Sequence, residues 1–183
     1  LGTFGRELAM VNATDAATEL IDQTILKPAI RAVDAQFKDQ PTVDASLRHT
    51  LAEVHQLLGK IDDALSLQRR ALEIRRQSLG DDHPETITSM NNLGSILEAS
   101  GNAAEAEPLY REALERRRRL LGEDHEDTLS TMGNLGNLLR AGGKAAEAEP
   151  LLKGSMEGLR RVKGPESRDT LIAMNTYGYL LVD

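Results

Sequence analysis

The chain of 183 residues contains no cysteine and no tryptophan, and aromatic residues make up only 3% of it. Without cysteine there can be no disulfide, no thiolate nucleophile and no Cys-based metal site, which fits a reducing compartment and makes a cytoplasmic setting the expectation. No apolar run reaches the length of a signal peptide or a membrane span, so no membrane partner is expected. Positive charge is also short. A net charge of -7 and a pI near 5.2 oppose binding to nucleic acid or anionic lipid. So few large rings would leave a single globular core of this size underfilled, whereas leucine and alanine suffice between stacked helices.

What the chain does have is a repeat. The block from Pro84 to His125 and the block from Glu126 to Ser167 are identical at 19 of 42 positions. Leu93-Gly94, Leu97, Gly101, Ala106, Tyr110, Ala113 and Leu114 return as Leu135-Gly136, Leu139, Gly143, Ala148, Leu152, Ser155 and Met156. Earlier, Leu51-Ala52, Gly59, Ala64, Leu67, Ala71, Leu72 and Gly80 occupy the same slots; later, Thr170, Tyr177-Gly178 and Leu181 begin another copy. A fixed period of this size marks stacked supersecondary units in place of one centre.

The order Leu93, Gly94, Leu97, Ala106, Tyr110, Ala113 resembles the tetratricopeptide pattern, with a period of 42 where 34 is usual. The extra residues lengthen the second helix and the loop that holds His83-Pro84-Glu85-Thr86. This longer variety is similar to the repeats of kinesin light chains and to the repeat regions that follow the catalytic domain in some bacterial serine/threonine kinases. The resemblance covers Pro41 onward and implies an all-α, right-handed superhelical solenoid of antiparallel helix pairs.

Along the chain, residues 1–13 read as an irregular lead-in, with Phe4, Leu8, Met10 and Val11 placed to cover apolar surface. Residues 14–40 read as a packing helix with Ala16, Leu20, Ile21, Ile25, Ile30, Val33 and Phe37 on one face, kinked at Pro28. Repeats follow at 41–82, 83–124 and 125–166, and residues 167–183 form the first helix of a fourth. First helices are expected over Thr42–Leu58, Pro84–Ser100, Glu126–Ala141 and from Ser167; second helices over Ile61–Ser78, Ala103–Leu120 and Ala145–Val162. The start without Met and the stop inside Tyr177-Gly-Tyr-Leu-Leu-Val suggest an excised piece of something longer. Glycine within a helix costs about 1 kcal/mol against alanine, so Gly94, Gly136 and Gly178 call for a close approach of two helices. Ala52 holds the same slot in the first copy, and the small residues twelve positions after Ala52, Gly94 and Gly136, namely Ala64, Ala106 and Ala148, are the expected partners; Gly94→Leu is expected to unfold its repeat.

Catalysis finds no support. No Ser-His-Asp order, phosphate-cradling loop or kinase motif is present, and no cofactor is implied. His83 and His125, beside Asp81-Asp82 and Glu123-Asp124, lack a convergent third ligand, so helix capping outweighs metal binding. Arg116 to Arg119, with Arg69, Arg70, Arg75 and Arg76, read as a solvated outer face supported by Glu112–Arg116 and Glu115–Arg119 pairs four apart. Nucleic acid is disfavoured further by the lack of interleaved aromatics.

The resemblance implies that the first helices line a concave groove. The positions facing it are His49, Thr50 and Glu53; Thr88, Asn91, Asn92 and Ser95; Asn134, Asn137 and Arg140; Asn175, Thr176 and Tyr179. Asparagine is a mediocre helix former, and its amide can donate and accept at once, as the backbone of an extended peptide requires. In kinesin light chains the matching Asn slot contacts peptide cargo, which carries over to Asn92 and Asn134, while Thr50 and Thr176 depart from it. The same amides can instead brace neighbouring helices, and the two roles are compatible. Arg140 and Arg48 are the positive charges set against Glu53 and Glu98, too few to clamp a terminal carboxylate. The partner expected is a protein or short extended peptide of roughly six residues, from helix spacings of about 9 to 10 Å and about 3.4 Å per residue. The alternative is a regulatory or self-assembly segment of a larger enzyme such as a bacterial signalling kinase, associating through the uncapped last helix.

Overall fold

The computed structural model describes residues 13–182, and every regular element among them is helical. The expected lead-in lies outside the described residues except Ala13, which is already helical. Residues 13–21 (α1) run into a π-helical turn, Asp22–Leu26, followed by α2, Lys27–Gln36. Then come α3 (Pro41–Leu57), α4 (Ile61–Leu79), α5 (Pro84–Ala99), α6 (Ala103–Leu121), α7 (Glu126–Ala141), α8 (Ala145–Lys163) and α9 (Arg168–Val182). The expected helix ends agree with these to within one residue. Two compact units part between Ser78 and Leu79.

In the first unit, α3 and α4 form a hairpin with Ala45, Ala71 and Ile74 in its core. The preceding segment departs from the apolar stripe expected of it. Pro28, in the first turn of α2, has no N–H to offer an α-helical bond, and the turn before it widens so that Lys27 N–H reaches Asp22 O, five residues back. The wider turn shifts the helical phase. Leu20 (63% exposed) and Ile25 (59%) face solvent, while Leu26, Val33 and the carboxylate Asp22 are buried.

Asp22 is accommodated by charge. Its Oδ2 accepts from Lys60 Nζ at 2.8 Å and lies 3.3 Å from Lys27 Nζ; its Oδ1 lies 3.3 Å from His55 Nε2. The hydrogen bond from Lys60 holds the Asp22 carboxyl below the usual range, against the opposing effect of burial. Asp63 brings a third ligand atom within 4.8 Å of those of Asp22 and His55. Two lysine ammoniums already share that carboxylate, so the cluster is an ion-pair network and not a vacant cation cage.

In the second unit α5 pairs with α6, α7 with α8, and α9 packs on α8 and α7. The starts of α5, α7 and α9 are capped by side chains: His83 Nδ1 accepts from Glu85 N–H at 3.3 Å, His125 Nδ1 from Asp127 N–H at 3.2 Å, and Ser167 Oγ from Thr170 N–H at 3.2 Å. Helix ends are marked by glycines with positive φ at 59, 80, 101, 122, 143 and 164, one every 21 residues, so each repeat is punctuated twice.

The close approach at Gly94 and Gly136 is real, but its partner is different. A Cβ at Gly94 would lie 2.9 Å from the Tyr110 ring, and one at Gly136 2.7 Å from the Leu152 side chain, sixteen residues on. Ala106 and Ala148 are fully buried beside these crossings, yet it is the large side chain that the bare backbone accommodates. At Gly178 a Cβ would meet nothing within 4 Å. Arg75 and Arg117 correct the expected outer face, since each is only 5% exposed. Arg116 behaves as expected, pairing with Glu112 at 2.9 Å.

Candidate binding face of the first helices

Within the second unit, α5, α7 and α9 present the polar positions predicted for the groove, and several are tied together. Asn134 Nδ2 on α7 donates to Asn91 Oδ1 on α5 at 3.2 Å, and Thr131 Oγ1 reaches the same oxygen at 3.3 Å. One turn further along, Asn137 Nδ2 donates to Glu98 Oε1 and Tyr110 OH to Glu98 Oε2, each at 3.1 Å. Burial, with the Glu98 carboxylate next, pushes the Tyr110 hydroxyl pKa up, so it stays a donor. Arg140 donates to Asn137 Oδ1 at 3.3 Å and stacks over the Tyr179 ring of α9, 5.9 Å from its centroid. The chain of contacts Tyr110, Glu98, Asn137, Arg140, Tyr179 thus crosses three first helices.

Other predicted positions are less committed. Asn92 is half-buried and makes no side-chain hydrogen bond among the described residues. Ser95 is half-buried beside the Tyr110 hydroxyl, Asn175 is exposed, and Thr176 Oγ1 donates to Ile172 O of its own helix at 2.9 Å. Thr88 Oγ1 accepts from Arg117 Nη2 at 3.2 Å. In the first unit His49 Nδ1 stands 3.0 Å from Gln68 Oε1 and its Nε2 3.5 Å from Glu53, with Thr50 exposed beside them. Arg48 pairs with Asp44 and Asp34, so its charge is already met.

Arg117 is the residue that sequence reasoning missed. Rising from α6, its guanidinium enters between α5 and α7 and donates to Asp127 O at 3.0 Å, Thr131 Oγ1 at 2.6 Å and Thr88 Oγ1 at 3.2 Å. The signal was in the periodicity. Ala113, Leu114 and Arg117 stand at i, i+1 and i+4, so Arg117 shares the inward face that the first two occupy.

The sequence matches the tetratricopeptide repeat family over residues 43–118 and, overlapping these, 90–153, together more than half of the chain. The chain belongs to the tetratricopeptide repeat family. Solved structures share its fold. The crystal structure of BtubC (BKLC) from P. vanneervenii is 21% identical with a TM-score of 0.75, over 95% of this chain and 72% of that one. A Podosopora anserina putative kinesin light chain with nearly identical TPR-like repeats is 20% identical with a TM-score of 0.70, over 98% and 82%. MamA is 15% identical with a TM-score of 0.53, over 87% and 80%. No curated protein matches the sequence. As a tetratricopeptide protein, the chain is a scaffold of the protein-interaction kind with a kinesin-light-chain-like fold. No helix among the described residues is long and apolar enough to cross a membrane.

Proposed function

We propose that the first helices of the second unit bind a short extended peptide, with Asn92 and Asn134 engaging its backbone. The observation that carries this reading is how the amides are spent. Asn134 uses its N–H on Asn91 and keeps its carbonyl oxygen, while Asn92 has both donor and acceptor in hand on a half-buried surface. A polar group in that position gains more from a peptide amide than an exposed one, because water competes less. The network around Glu98 and Asn137 fixes the neighbouring helices, so the surface is ordered before the peptide arrives and less entropy is lost on binding. A segment of roughly six residues would span α5 to α9, at about 3.4 Å per residue.

Peptide-array binding by the full chain tests the reading: Asn92→Ala with Asn134→Ala should abolish retention of the bound sequences while the fold, read by circular dichroism, persists. Retention unchanged by the pair of substitutions would remove the amides from recognition. A second reading, a regulatory or self-assembly segment of a larger enzyme such as a bacterial signalling kinase, is favoured by α9, whose Leu171, Ile172, Met174 and Leu181 are between 45% and 64% exposed. Light scattering that returns a monomer mass at every concentration would eliminate its self-association form.

A further inference from the structure

A cavity of about 320 Å³ opens between α7 and α9, floored by Leu152, Ser155 and Leu159 of α8. Its walls include Ser130, Gly133 and Asn134 on one side and Asp169, Ala173 and Thr176 on the other. One repeat earlier the equivalent space is filled. There the Arg117 guanidinium lies between Thr88 on α5 and the Asp127 carbonyl and Thr131 on α7, with Asn91 closing the top against Asn134.

Moving by one repeat of 42 residues exchanges each of these parts. Leu159 replaces Arg117 and stops short, so the guanidinium is gone from the floor. Gly133 replaces Asn91, so the bracing side chain is gone from the top, and Ala173 replaces Thr131. Two of the three acceptor positions remain: Ser130 at the place of Thr88, and Asp169 at the place of Asp127, whose main-chain carbonyl accepts from Arg117. In the first unit Arg75, 42 residues before Arg117, is likewise buried, 5% exposed, with its Nη2 3.4 Å from Ser46 Oγ at the place of Thr88.

The geometry points to the cavity between α7 and α9 as a guanidinium pocket, which takes an arginine side chain of a bound peptide in the place that Arg117 fills one repeat earlier. This rests on the peptide-binding reading above and adds the side-chain specificity of that site. Arginine suits it better than lysine, since a guanidinium is weakly hydrated and planar and can lie against Leu152, Leu159 and Ile172 while its edge donates to several oxygens. Charge agrees. The chain is acidic overall, and the hydrogen bond from Lys163 keeps the Asp169 carboxyl below its ordinary range, so it is an anion at neutral pH. Lys163 is met by Glu126 at 2.8 Å as well as Asp169 at 2.6 Å, so its ammonium is shared between two carboxylates.

The test uses the full chain labelled with nitrogen-15 and titrated with N-acetylarginine methylamide, with the citrulline and lysine analogues alongside. Saturable shifts are expected at the amides of Ser130, Gly133, Asp169 and Ala173, with a millimolar dissociation constant for the arginine probe and at least about tenfold weaker binding of the uncharged citrulline analogue. Leu159→Arg with Ala173→Thr rebuilds the arrangement around Arg117 and should abolish the shifts without lowering Tm. Should that variant fail to fold, Asp169→Asn, at an exposed side chain, should weaken the arginine probe several-fold and leave the citrulline analogue unaffected. Absence of saturation with the arginine probe, equal binding of citrulline, or shifts that persist when Arg fills position 159 would overturn the assignment. The two proposals fail separately: an arginine-free peptide that binds while the probe does not removes the pocket and keeps the groove, and the reverse removes the groove alone.

Discussion

At the scale of single residues, the glycines of the first helices are not equivalent, and their surroundings decide the sign of a substitution. Replacing a helical glycine by alanine normally gains about 1 kcal/mol through reduced backbone freedom. At Gly178 nothing stands within 4 Å of the added carbon, so Gly178→Ala is expected to collect that gain. At Gly136 the same carbon would lie 2.7 Å from two atoms of Leu152 and 3.3 Å from its backbone nitrogen, and overpacking of this kind costs about 1–3 kcal/mol. Calorimetry should therefore show Tm rising for Gly178→Ala and falling for Gly136→Ala; a fall of equal size in both would mean that crowding is not the cause. Gly94→Leu, placed against the Tyr110 ring, should unfold its hairpin altogether. That a glycine was needed was legible in the sequence, because helical glycine is costly. Which neighbour it served was not, because a small residue twelve positions on and a large one sixteen positions on both fall on the facing helix, and only the crossing geometry chooses between them.

At the scale of elements, the repeat made the helices readable and the absence of a repeat made the first segment misleading. From Pro41 onward the chemistry of the helix ends recurs, with a capping His or Ser at the front of α5, α7 and α9 and a left-handed glycine behind each of α3 to α8, so the boundaries could be fixed from several copies at once. Before Pro41 there is one copy, and one widened turn at Asp22–Leu26 was enough to turn Leu20 and Ile25 outward and a carboxylate inward. The candidate site divides in the same way: the positions of Asn91, Asn134 and Asn137 followed from the period, whereas the reach of Arg117 from the other helix layer depends on a long side chain whose direction no pattern states. The buried carboxylate has a consequence for acid stability. Because the bond from Lys60 depresses its folded pKa below the ordinary 3.8, Asp22 contributes stability above that pH, and the contribution is lost as pH falls through the lower folded value. Acid titration by circular dichroism should show the first unit loosening below about pH 4, with the Asp22→Asn variant less stable at neutral pH and flatter in that window. An identical acid transition in the variant would assign it to other carboxylates.

At the scale of the whole molecule, stability in a repeat array is a sum of local terms, since each helix pair packs only on its neighbours. The second unit shows this plainly: α7 and α8 pack on each other, α6 meets α7, and α9 rests on α8 and α7. A lesion at one crossing should then be felt most by the helices that share it and should fade along the chain. Gly136→Leu supplies the lesion, because its side chain would have to displace Leu152, one of the most fully buried leucines. Native-state hydrogen exchange should report lost protection in α7 and α8 first, a smaller loss in α5, α6 and α9, and near-normal protection in α3 and in α4 up to Ser78. If amides of both units instead lose protection together and by the same factor, the array unfolds as one cooperative block. The gradient also bears on binding: a peptide lying across α5, α7 and α9 would join helices that otherwise communicate only through shared neighbours, so its arrival should raise protection in all three together.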